Sequence, residues 1–414
     1  MGLPSKGPQD IRKEGDEMKG KGIFWTALLG VWVMLLPFSA SGQVPGVTES
    51  EVVLGWTTPL SGPAAAWGAA AMGGKAWADY VNEQGGVHGR KIKVIVKDDG
   101  YNPARALANL QEMKGQVFAV VGLNGTAILS ACRDFFSENK VILVGAFGNS
   151  RIWVDYPKEK IRYIFVAFPD FGDEAEFLTR EAVNRLGAKK IALFYQNDDW
   201  GKVALQGMNE ALAKLGGKAQ AVAAVPYEVT DRALDTHALK LKESGADALL
   251  VYATPTHTAL ILRGIAKIDY RPKILSNGTN SNPIMFKIAG DVWEGVYTAS
   301  SIGAGIPGTD PEADRVAGIL KKYEPKIEGN EYLAVFGSAF MMMTVEGLKR
   351  AGRDLTTEKM IQAMESIKEW KPDIGAPVTF GPDNRQGING SRLLRAEGGK
   401  YIPVTGVEMF KTRF

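Results

Sequence analysis

The chain has 414 residues, 45% apolar and 23% charged, with 49 basic side chains against 46 acidic ones. That balance fits a folded protein of roughly two to three domains and excludes a disordered chain and a multi-span membrane protein. The sequence shows no basic stripe of the kind nucleic-acid binders carry. The single Cys132 excludes an internal disulfide, and His88, His237 and His257 lie too far apart for a local metal motif.

Met18-Lys19-Gly20-Lys21 gives a short positive start, residues 23–38 are apolar (IFWTALLGVWVMLLPF), and Ser39-Ala40-Ser41-Gly42-Gln43 follows with small residues. This is the three-part layout of a secretory signal peptide. The apolar run falls short of the about 20 residues a membrane span needs, which ranks an uncleaved anchor second. Residues 1–42 are expected to be the signal peptide. Met18 is an alternative start, and the mature chain begins near Gly42 or Gln43. An exported chain with one thiol and no disulfide suits the bacterial periplasm.

From Glu51 short apolar runs alternate with amphipathic stretches. Strands are expected at 52–56, 91–96, 117–122, 141–145 and 163–168, with helices at 66–82, 103–114 and 126–137 between them. Pro103 suits a helix start, where its missing N–H costs nothing. The series then restarts: helix 173–186, strand 190–195, helix 200–215, strand 219–224, helix 235–244, strand 247–252, helix 256–267 and strand 273–275. Strands alternating with helices of this length predict an α/β protein with parallel sheets covered on both faces, here two doubly wound lobes. Beyond Gly303 a proline-rich connection leads to helices near 311–323, 331–350 and 356–367. The end is strand-like at PVTF, RLLRA and YIPV.

Catalytic signatures fail on context. Gly303 to Gly308 spells G-x-G-x-x-G, but a dinucleotide site needs that turn to open a helix directly. Pro307 and Pro311 read instead as a linker. There is no Walker A, H-E-x-x-H, C-x-x-C or G-x-S-x-G motif. Ser137 to Lys140 matches S-x-x-K without any companion motif, and Cys132 reads as a small core residue. No cofactor, metal or catalytic residue is expected, and the chain is read as a non-enzyme.

Four segments carry a resemblance: LGWTTPLSGPAAAWG (54–68), NEQGGVHGRKIKVIVKDDGYNPARA (82–106), YQNDDWGK (195–202) and VPYEVTDRALDTHALKLKESGADALLVY (225–252). The chain resembles the periplasmic substrate-binding proteins of ABC transporters, in the type I branch that includes the leucine/isoleucine/valine-binding proteins. Arg232 departs from the phenylalanine usual in the fourth segment. The resemblance implies lobes joined by a three-strand hinge: 50–168 with 300–376, and 169–299 with 377–414. It also implies a ligand cleft between them.

Carried over position by position, the resemblance puts a carboxylate-binding hydroxyl at Thr126. That residue could cap a helix whose free N–H groups face an anion, or be a purely structural cap. Phe147 and Asn149 follow the next strand. Trp67 and Trp200 fall where relatives carry cleft aromatics, the alternative being core tryptophans. Tyr252 and Thr254 follow one strand end, Asn277 and Gly278 the next, and ligands bind outside such ends. Asn277 stands near the position where relatives hold the ligand ammonium with an acid. Asp170 could serve instead, or simply cap a loop.

The expected function is the extracytoplasmic component of an ABC importer. It would capture an amino acid of branched-chain type, or a related small carboxylate, aromatic ones included, and deliver it to a membrane permease. The expected protein is a monomer without nucleic-acid partners. The alternative is a ligand sensor of the same fold, acting in signalling.

Overall fold

Two sheets, each with buried apolar strands at its centre and helices on both faces, organise the chain. The computed structural model describes residues 44–62, 64–301 and 305–414. The expected signal segment, and Gly303 and Ala304 of the glycine motif, lie outside the described residues.

The first sheet holds β1 (Glu51–Thr58), β2 (Lys91–Asp98), β3 (Ala119–Val121), β4 (Ile142–Val144) and β5 (Ile164–Phe165) in the order β2-β1-β3-β4-β5. All of its pairings are parallel. Strands β3, β4 and β5 are wholly buried, as continuous apolar runs should be in a sheet covered on both faces. The second sheet holds β6 (Lys190–Gln196), β7 (Gln220–Tyr227), β8 (Ala248–Tyr252), β9 (Lys273–Ser276), β10 (Tyr297–Ser301), β11 (Gly390–Glu397) and β12 (Lys400–Pro403). Its order is β12-β11-β10-β9-β8-β6-β7, and β13 (Glu408–Met409) pairs with β11. Strand β11 enters antiparallel to β10.

The chain passes between the sheets after β5, after β10 and before β11. Helices Pro311–Tyr323, Glu331–Ala351 and Thr357–Glu365 lie in the interval between β10 and β11. Glu331–Ala351 packs on Gly68–Glu83, the first α-helix after β1, and so belongs to the first lobe. The two approach so closely that a Cβ on Gly73 would overlap the Ala334 backbone, and one on Gly337 the Ala70 backbone. Trp56 of β1 is fully buried, and Gly122 leaves the space for its indole.

The elements match the expected series with a few differences. The 163–168 strand is only two residues long. Beyond it Val166 N donates to Arg385 O at 2.9 Å and Gly387 N to Val166 O at 2.7 Å, so the strand's continuation pairs with the returning chain. PVTF is not a strand: Val378 makes a single bridge with Trp370. Residues 377–386, expected in the second lobe, pack on the first, where Phe380 meets Phe165 with centroids 5.3 Å apart. Strand β10 has no counterpart in the expected series. Among the described residues no helix is long and apolar enough to cross a membrane. No group of three His, Cys, Asp or Glu among them could hold a metal.

Candidate functional site

Each sheet has a point where successive strands leave in opposite directions. Strand β1 lies between β2 and β3, and β6 lies between β7 and β8. Crevices at the carboxyl ends of strands form at such points, and here the two crevices face each other. The first lobe lines the cavity with Trp67, Tyr101, Asn124, Gly125, Thr126, Phe147 and Gly148. The second contributes Phe171, Trp200, Thr254, Pro255 and Thr279.

Local sequence sets each wall. Asp98 ends β2 and accepts from Leu60 N (2.8 Å), Ser61 Oγ (2.6 Å) and Gly100 N (2.9 Å), tying the turn after β1 to the turn after β2. The Ser61 hydroxyl bond is the main cause holding its carboxyl far below the usual range. Asp99 accepts from Thr57 Oγ1 at 3.0 Å and Tyr101 N at 2.8 Å. This holds Tyr101 in the left-handed region (φ 61) with its ring over Gly125, where a Cβ would collide. Desolvation, then the Asp198 charge on the second lobe, pushes the Tyr101 hydroxyl well above its ordinary value.

The helix Thr126–Asn139 points its N-terminus at the cavity. Its N-cap is Gly125 (φ 110), with no side-chain cap. Thr126 is therefore the first helical residue and not the cap that the sequence suggested. Its hydroxyl accepts from Asn149 N at 2.9 Å, and among the described residues nothing accepts its proton. Two more donors are left over. Asn124 Nδ2 and Trp200 Nε1 are buried without a partner, in residues each 7% exposed. Uncapped helix N–H groups and unpaired donors together make a site for an anion or an acceptor oxygen.

The remaining wall is aromatic. Phe147 meets Trp67 at 5.0 Å and Phe171 at 6.2 Å, and Phe171 meets Trp200 at 5.7 Å. The rings thus run from one lobe to the other. At the second lobe Thr254 Oγ1 and His257 Nδ1 are 2.7 Å apart. His257 Nε2 lies 3.2 Å from Asp231 O, a carbonyl, so Nε2 is the protonated nitrogen and Nδ1 accepts from Thr254.

A periplasmic binding protein family profile matches residues 51–400. The chain belongs to the periplasmic binding protein family. Its fold is that of the type I branch that includes the Leu/Ile/Val-binding proteins. It is 24% identical over 373 residues to a Leu/Ile/Val-binding protein homolog of Brucella melitensis, covering 88% of this chain and 96% of that one. Among solved structures, a fatty acid ABC transporter substrate-binding protein from Thermomonospora curvata superposes with a TM-score of 0.79 at 23% identity, over 90% and 95% of the two chains. A branched chain amino acid ABC transporter protein from Thermus thermophilus with bound valine gives 0.79 at 20% identity, over 88% and 98%. The family is one of solute-binding proteins.

In this periplasmic binding protein, five expected site residues line the cavity together: Trp67, Thr126, Phe147, Trp200 and Thr254. The other five are placed elsewhere. Asn149 caps a 3-10 turn through Arg151 N (3.0 Å) and reaches Asp199 O on the second lobe at 3.3 Å. Asp170 is fully buried. It caps the helix Phe171–Asn184, accepts from Ser150 Oγ (2.8 Å) and pairs with Arg151 Nε (2.9 Å), so no valence is turned to the cleft. Asn277 donates to Val251 O and Ala253 O, both at 3.1 Å, and accepts from Thr279 N at 2.9 Å and from the Thr279 hydroxyl. Gly278 N and the Tyr252 hydroxyl both turn to Glu174, at 3.2 Å and 3.1 Å.

Sequence reasoning missed Tyr101, Asn124, Phe171 and Thr279 in the wall, and Glu174 beneath it. The signal for Glu174 was available: it shares a helix face with Phe171 and Leu178, both core residues. Burial raises its carboxyl to about 7, and the Asp170 charge adds to this against the bonds from Gly278 and Tyr252.

Proposed function

We propose that this protein is the extracytoplasmic substrate-binding component of an ABC importer. It captures a small carboxylate with an apolar body between its lobes and delivers it to a membrane permease. The observation that carries the reading is the convergence of the uncapped helix at Gly125, the Thr126 hydroxyl, Asn124 Nδ2 and Trp200 Nε1 on a ring-lined cavity shared by both lobes.

In this reading Thr126, Asn124 and the helix N–H groups take the carboxylate, while Trp67, Tyr101, Phe147, Phe171 and Trp200 enclose the body. The names of the relatives agree with this chemistry: valine and a fatty acid share a carboxylate on an apolar body. A ligand touching both lobes holds them closed, and a permease can read that state. Export through a cleaved signal peptide would put the protein in the periplasm.

A thermal-shift and tryptophan-fluorescence screen of amino acids and aliphatic and aromatic carboxylates tests the reading. A binder at a hundredfold excess over its Kd should add about 2.7 kcal/mol of stability and change the emission of Trp67 and Trp200. A screen in which none of these compounds binds would refute it.

A further inference from the structure

We infer that the cleft selects monocarboxylates lacking a free α-ammonium group over the corresponding amino acids, an inference that rests on the cleft being the ligand site. Among the described residues no aspartate or glutamate lines the cavity. The carboxylates of Asp170, Glu174 and Asp198, close behind the cavity wall, are spent inside the protein. Asp170 is held by Ser150, Arg151 and its own helix. Glu174 is fully buried, facing Gly278 N and the Tyr252 hydroxyl. Asp198 accepts from Gln196 Nε2 at 2.6 Å and caps its helix at Gly201 N, 3.1 Å away.

The uncharged acceptors do no better for a cation. Asn277, which stands where an acid would be expected, spends its carbonyl oxygen on Thr279. The hydroxyl protons of Thr254 and Thr279 point inward to His257 and Asn277, leaving only neutral lone pairs for the cavity. His257 is pushed below its ordinary value by burial and brings no charge of its own.

The donors point the same way. The α-ammonium of an amino acid lies on the carbon bearing its carboxylate. A carboxylate seated on the Thr126–Asn139 helix would hold that ammonium beside the positive helix terminus, near Asn124 Nδ2 and Trp200 Nε1, which are also donors. A desolvated ammonium without an anionic partner, facing like-signed dipoles, is penalised strongly. A carboxylate without it brings acceptor oxygens to these donors and adds no cation beside them.

Calorimetry at pH 7.5 on matched pairs tests this: 3-phenylpropanoate against L-phenylalanine, and 4-methylpentanoate against L-leucine. The des-amino member of at least one pair should bind about 100-fold or more tightly than its amino acid, a ratio typical of losing one buried charged partner. Glu174→Gln should leave that ratio unchanged. If an amino acid binds within tenfold of its partner and Thr126→Val weakens it, the cleft reading stands and this inference falls. Loss of that binding in Glu174→Gln would then identify Glu174 as the ammonium acceptor. If no member of either pair binds, both readings fall for these ligand bodies.

Discussion

Replacing Glu174 by glutamine should stabilise the protein at pH 8 and change little at pH 5. Glu174 is fully buried, with no cation among its partners: its oxygens take Gly278 N and the Tyr252 hydroxyl, and the Asp170 charge lies nearby. Desolvation is the largest cause raising its carboxyl from 4.5 to about 7. The folded protein therefore keeps a proton over that interval which the unfolded chain releases. With more protons bound in the folded state, stability falls as pH rises from about 4.5 through 7. At about 1.36 kcal/mol per pH unit, that interval is worth roughly 3 kcal/mol above pH 7. Glutamine keeps an acceptor for Gly278 N and cannot ionise, so it escapes the loss. Urea unfolding of both proteins at pH 5 and pH 8 reads the difference, from which other titrating groups cancel. Parallel stability curves across this range would refute the reasoning.

Thr126→Val should weaken ligand binding by about 1–3 kcal/mol, the range for a hydrogen bond to a charged group. Thr126→Ser should restore most of it; calorimetry on the best binder of the screen decides. Trp67 is half-buried and meets Phe147 and Phe336, whereas Trp200 is 7% exposed and packs on Phe171 and Tyr252. Trp67→Ala should therefore cost mainly affinity. Trp200→Ala should cost affinity and also unliganded stability, approaching the about 3–5 kcal/mol of core tryptophans. Gly172→Ala should destabilise by about 2–4 kcal/mol. Its Cβ would overlap the Arg151 guanidinium, which crosses from the first lobe to Asp170 and Glu210. A urea midpoint within error of the parent would mean that Arg151 yields freely.

Both doubly wound series were legible in the sequence, because the central strands are buried apolar runs, the edge strands β2 and β7 still carry apolar positions, and the helices between them show an apolar face. The hinge was not. Its crossings have no periodicity, and the continuation of β5 pairs with residues 385–387, which are distant in sequence. Strand β10 (YTASS) is polar and small, and it is held by its neighbours β9 and β11 rather than by a pattern of its own.

In the site, residues just past strand ends were legible as a class, but not which way each side chain is satisfied. Thr126 and Trp200 keep donors for the cleft, while Asn277 and Asp170, in equivalent places, are consumed by internal partners. Tyr101 was hidden because it follows D-D-G, which reads as a plain turn. The ring reaches the cavity only through a left-handed backbone held by Asp99. Phe171 was missed because the helix was expected to begin two residues later, at 173.

The central claim is that one ligand is held by both lobes at the N-terminus of the Thr126–Asn139 helix. Hydrogen exchange with and without the strongest binder from the carboxylate and amino-acid screen tests it most directly. The account predicts slowed exchange at Thr126, Ala127 and Ile128 on the first lobe, and at the same ligand concentration around Trp200 and Thr254 on the second. Protection confined to one lobe, or centred away from these amides, would contradict it.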